Sequence, residues 1–83
     1  MQRESSITLI EQLVIDKVRE LRLEAGLSQY DLAIAMGLSK GFIGDVENPK
    51  RRAKYNLNHL EKLTEIFHCS FCDFFPQNNL KTK

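Results

Sequence analysis

Two groups of residues could do chemistry. Cys69-Ser70-Phe71-Cys72, with His68 adjacent and His59 nine residues before it, has the composition of a zinc or thiol-redox site. A structural zinc needs four ligands, usually as two paired sets, and here there is one cysteine pair. Two reduced cysteines also suit a cytosolic chain, so no metal, cofactor or redox role is assigned to them. The histidines have no convincing nucleophile partner and no glycine loop suits a phosphate, so catalytic residues are not expected and the chain does not read as an enzyme. The second group is electrostatic. Formal net charge is only +1, but Lys50, Arg51, Arg52 and Lys54 fall within one short segment, 48–54, that holds no acid. The preceding residues are net acidic and those after it balance, so the positive charge is concentrated in one loop.

The elements that must position this loop lie just upstream. Residues Leu27 to Glu47 read as two short helices joined by a tight turn. Ser28 and Asp31 form an acidic capping box that starts the first. Leu32 and Met36 recur at helical spacing, and Gly37 supplies the left-handed residue that closes it. Ser39 is read as the cap of the second helix, whose inward face is Ile43 and Val46, and Ala33 is small enough to let the two backbones approach. Upstream, Ile10, Val14, Val18, Leu21 and Ala25 make one stripe, which predicts an amphipathic helix over about 8–25 ended by Gly26. Leu9 and Leu13 form a second apolar stripe that needs a cover, either the Phe-rich C-terminal segment or the partner subunit of a dimer. Downstream, Asn56 caps a fourth helix from Leu57 to His68, with Leu57, Leu60, Leu63, Thr64 and Phe67 as its stripe. Ser70 and Asp73 open a short fifth helix bearing Phe71, Phe74 and Phe75 and ended by Pro76. Residues 77–83 are polar, aperiodic and expected to fray.

On the residues Gln29, Leu32, Ala33, Met36, Gly37, Ile43 and Val46 the chain resembles the lambda-repressor-like family, the Cro/cI-type or XRE helix-turn-helix. The likeness runs from about Leu9 to Pro76 and includes Arg22 and the Glu47-Asn48 pair; Pro49 departs from it, since the family more often has glycine there. It implies an all-α, five-helix domain over 1–76 with the helix-turn-helix at helices two and three, and double-stranded DNA as its partner. It further implies that Arg22 pairs with Glu47, tying the first helix to the end of the third. Gly37, Ala33, Ile43 and Val46 are then structural. The family's base-contacting positions fall on Lys40, Gly41 and Asp45, with Ser39 and Phe42 beside them. In that reading Lys40 donates to guanine, Phe42 packs on a thymine methyl and Asp45 accepts from a cytosine amine. Phosphates would be met by Gln29 at the start of helix two, by the loop residues Lys50, Arg51, Arg52 and Lys54, and less directly by Arg19.

Gly41 and Gly44 admit two readings: closer backbone approach to the groove, or a weakened reader. Each costs about 1 kcal/mol relative to alanine inside a helix. Eighty-three residues fit one domain. A chain this short buries only about 60% of its unfolded surface, and a homodimer would add to that. The family also includes modules whose partner is a protein, such as antitoxins, which is the alternative to a transcriptional regulator, repressor in preference to activator. No apolar run approaches the roughly 18 residues of a membrane span, and the opening Met-Gln-Arg-Glu-Ser-Ser lacks the layout of a signal peptide, so a cytoplasmic location is expected.

Overall fold

The computed structural model describes residues 7–76. Among these the chain forms four α-helices, α1 (Leu9–Glu24), α2 (Gln29–Ala35), α3 (Phe42–Glu47) and α4 (Leu57–Phe67), followed by a single 3₁₀ turn over Phe71–Phe74. The fold is therefore an all-α helix-turn-helix domain, and the expected fifth helix is one tighter turn. The tail over 77–83 and the residues before Ile7 lie outside the described residues.

Local chemistry sets most boundaries. Thr8 and Glu11, Ser28 and Asp31, and Ser70 and Asp73 each form a reciprocal capping box at the start of α1, α2 and the 3₁₀ turn. Gly26 and Gly37, both at φ +73°, end the first two helices in the conformation that a Cβ disfavours. At the end of α4 the same left-handed role falls to His68, at φ 56°. Asn56 caps α4 as expected. Its reciprocal partner is His59, whose Nδ1 accepts the Asn56 backbone N–H at 3.0 Å while Asn56 Oδ1 accepts from His59 N at 2.7 Å.

Ser39 does not cap α3. The N-cap position is Gly41, with no side-chain hydrogen bond, and Ser39 contributes only its carbonyl, which accepts from Phe42 N at 3.1 Å. The chain makes one turn between Ser39 and Phe42 before the helix begins, so the cap expected of the hydroxyl is displaced by a backbone turn.

The core joins Val14, Ile15 and Val18 of α1 to Leu32 and Ala33 of α2 and its C-cap Met36, Ile43 and Val46 of α3, Leu60 and Leu63 of α4, Tyr55 and Phe74. The expected α1 stripe is thus rotated: Ile15 is buried, Ile10 and Leu21 are only partly so, and Ala25 is the exposed C-cap. The reason is that α1 is covered from more than one side, by α3 and by the 3₁₀ turn. Leu57, placed in the α4 stripe, is instead 71% exposed, because it is the first helical residue and precedes the turn that meets the core. The Phe-rich segment does pack on α1, enclosing a cleft with Leu13, Asp16, Lys17 and Glu20, yet Leu9 stays 72% exposed. One element of the unexplained stripe is covered within the chain and the other is not.

Candidate nucleic-acid interface

The helix that would face a groove is six residues long and uncapped, so its placement depends on its neighbours. Ile43 and Val46 anchor it, with 0% and 4% exposure. At its C-terminal end Glu47 is held by Arg22, which donates from Nε to Oε2 at 2.9 Å and from Nη2 to Oε1 at 2.8 Å, while Arg22 Nη1 donates to the Leu27 carbonyl at 2.9 Å. Both side chains are nearly inaccessible, a condition under which two charges are tolerated only with this degree of hydrogen bonding. The guanidinium thereby fixes three things at once: the end of α1, the loop into α2 and the end of α3.

At its N-terminal end α3 is held by an aromatic group. The Phe42 ring lies 4.8 Å from the His59 imidazole and 6.1 Å, edge-on, from Tyr55, which in turn meets His59 edge-on. Phe42 is half-buried and packed against the core, so its ring is engaged inside the domain. Tyr55 is buried, and desolvation together with the Glu47 carboxylate pushes its phenol well above the usual range. Burial lowers His59, which keeps Nδ1 free to accept in the α4 cap.

The exposed residues here are Asp45 on the outer side of α3 and Lys40 and Gly41 in the turn that leads into it, with Ser39 beside them. Asn48 is also exposed, but its Oδ1 accepts from Lys50 N at 2.9 Å, and its carbonyl accepts from Arg51 N at 3.0 Å. The result is an Asx-type turn with Pro49 in its second position, where the ring's fixed φ is an advantage. This accounts for the proline at the position where the resemblance led one to expect glycine.

The turn delivers the basic residues to the surface beside α3. Lys50, Arg51 and Arg52 are exposed, and Arg51 Nε lies 3.9 Å from Asp45 Oδ1, a loose contact between two well-solvated groups. Lys54 is different. Its ammonium is 3.0 Å from Glu11 Oε2, so it ties the end of the loop to the first turn of α1. Glu11 is held below its ordinary value first by the Thr8 backbone N–H and then by Lys54. The Gln29 side chain is likewise engaged within the domain: its Nε2 donates to Glu47 Oε1 at 2.9 Å. Arg19 Nε approaches Glu47 at 3.8 Å and remains largely exposed.

A helix-turn-helix family model matches residues 18–74, about two-thirds of the chain. The chain belongs to the Cro/cI-type (XRE) helix-turn-helix family. No curated protein and no solved structure matches it. In this XRE-type domain the match spans the second half of α1 through the 3₁₀ turn, which includes the Arg22–Glu47 pair, α3 and the basic turn, and it supports DNA binding and transcriptional regulation.

Elsewhere in the XRE-type chain little chemistry converges. Among the described residues no three His, Cys, Asp or Glu side chains come together as a metal site, and no helix is long and apolar enough to cross a membrane. Cys69 is partly buried, and burial, followed by the Asp73 carboxylate, pushes its thiol up and away from reactivity. Tyr55 was not singled out by sequence reasoning, and His59 was weighed only beside the cysteines. The signal for its capping role is the Asn-x-x-His spacing at the start of α4, in which the imidazole takes the place of a capping carboxylate.

Proposed function

We propose that this chain binds double-stranded DNA sequence-specifically as a homodimer and regulates transcription, with repression, which requires only occupancy, as its mode of action. The observation that carries this is the continuity of two surfaces: the exposed Lys40 and Gly41 at the entry to α3 and Asp45 on it adjoin the exposed basic turn of Lys50, Arg51 and Arg52, with Arg51 3.9 Å from Asp45. With α3 in the major groove, that turn follows the phosphate backbone. Lys40 is the candidate donor to guanine and Asp45 the candidate acceptor from cytosine, with Ser39 as an auxiliary contact. The backbone N–H of Gln29, at the start of α2, is a candidate phosphate contact.

The homodimer reading is supported by geometry and by apolar surface. Domains of this motif read paired half-sites about one helical turn apart. Leu57 stands exposed on a largely apolar groove of about 420 Å³ lined by Ile10, Val14, Tyr55, Leu60 and Phe75, and the neighbouring Leu9 is equally bare. A second copy would cover both leucines. A cytoplasmic location follows from the same role.

The test is selection of sites from a random duplex library at low and moderate salt, in parallel with a protein carrying Arg51→Ala and Arg52→Ala. An enriched inverted repeat, lost in the double variant, establishes the reading. Absence of any motif from a folded protein favours the alternative, a protein-interaction module. The observation on that side is the exposed pair Tyr30 and Ile34, one helical turn apart on α2, at 54% and 53% exposure.

A further inference from the structure

The two glycines of the α3 region are not equivalent. A Cβ built on Gly41 would meet nothing within 4 Å, whereas one on Gly44 would lie 3.2 Å from Gln29 Oε1. That oxygen belongs to a carboxamide whose orientation is fixed. Glu47 is an acceptor only, so Gln29 must turn Nε2 toward Glu47 Oε1, and its own oxygen is left facing Gly44. Flipping the amide would set oxygen against a carboxylate. The same Glu47 oxygen also accepts from Arg22 Nη2, so the carboxylate cannot swing aside to follow a displaced Gln29.

We propose that Gly44 is the seat of the Gln29 side chain, and that Gln29 is a positioning residue setting how α3 lies against the start of α2. In this role the missing side chain at 44 serves contact within the protein and not approach to a groove. The bridge links the first residue of α2 to the last residue of α3 across the glycine between them, so any side chain at 44 trades helix propensity against the bridge. The reading of DNA above is what gives that placement its consequence, but the bridge itself stands on protein geometry alone.

A double-mutant cycle tests it, with Gly44→Ala, Gln29→Ala and the combination in the full chain. In the Gln29→Ala background nothing opposes the alanine, and gain of helix propensity should raise Tm by about 4–8 °C. In the parent background the same change should leave Tm unchanged or lower. The Gln29 side-chain amide resonances should also shift out of their hydrogen-bonded position in Gly44→Ala. For the selected duplex, Gly44→Ala and Gln29→Ala should each weaken binding about tenfold, and the double variant no further. Equal Tm gains in both backgrounds, with the Gln29 resonances unmoved, would overturn the bridge. Coupled Tm values with unchanged duplex affinity would overturn its positioning role. If the parent selects no duplex, the functional reading fails, and the Tm cycle still decides the bridge.

Discussion

Arg22 grips Glu47 with two nitrogens across 25 positions of sequence, and both side chains are almost wholly withdrawn from solvent, at 7% and 4% exposure. The pair joins α1 to α3 by charge, with Arg19 more loosely beside it at 3.8 Å, and it lies at the end of a helix too short to hold itself.

Removing one partner leaves the other charged and buried, which costs about 3–5 kcal/mol in comparable settings. Arg22→Ala and Glu47→Ala should each lower stability by that order in urea denaturation, with the double variant far from additive. A loss below about 1 kcal/mol would class the contact with ordinary surface bridges.

Tyr55 carries a buried hydroxyl that finds no hydrogen-bond partner among the described residues. A buried hydroxyl in that state costs about 1–3 kcal/mol. Tyr55→Phe keeps the ring contacts with Phe42 and His59 and removes the orphan, so thermal denaturation should show a variant as stable as the parent or more so. A clear destabilisation would mean that the hydroxyl is bonded in solution.

His59 gives the domain a pH dependence whose sign follows from its cap. Burial lowers its folded value below the ordinary one of about 6.5, so the unfolded chain takes up the proton first as pH falls. Stability present above pH 6.5 is therefore lost progressively below it, until the native imidazole protonates and Nδ1 can no longer accept from Asn56. Tm measured from pH 7.5 to 5 should fall more steeply for the parent than for His59→Gln; parallel profiles would contradict the assignment.

The basic turn divides into two kinds of residue. Arg51→Ala with Arg52→Ala should weaken duplex binding and reduce the dependence of log affinity on log salt by about 0.9 for each phosphate contact removed. Lys54→Ala should leave that slope in place and slightly lower stability, because its ammonium bonds Glu11. If Lys54→Ala reduces the slope as much as either arginine, the tether is opened on binding.

What the sequence revealed was what is encoded within a few residues. Capping boxes and left-handed glycines are local, so Ser28, Asp31, Gly37, Asn56 and Ser70 marked their elements at the positions observed. The Arg22–Glu47 link came through family resemblance and not from spacing. What could not be read was rotation and allegiance. Whether Ile10 or Ile15 enters the core depends on which sides of α1 are covered, and a hydrophobic stripe does not say how wide it is. Phe42, Gln29 and Lys54 were each given a role toward DNA by resemblance or charge, and each is taken up by a partner distant in sequence, at His59, Glu47 and Glu11.

The brevity of α3 limits how its preference could be rewritten. Four of its six residues, Phe42, Ile43, Val46 and Glu47, are engaged by the rest of the domain, and Gly44 lies against Gln29. A recognition helix transplanted whole from a relative would break these contacts before it read anything. On the proposed reading, the positions open to redesign are Asp45 within α3 and Lys40 and Gly41 just before it, a library small enough to be enumerated completely.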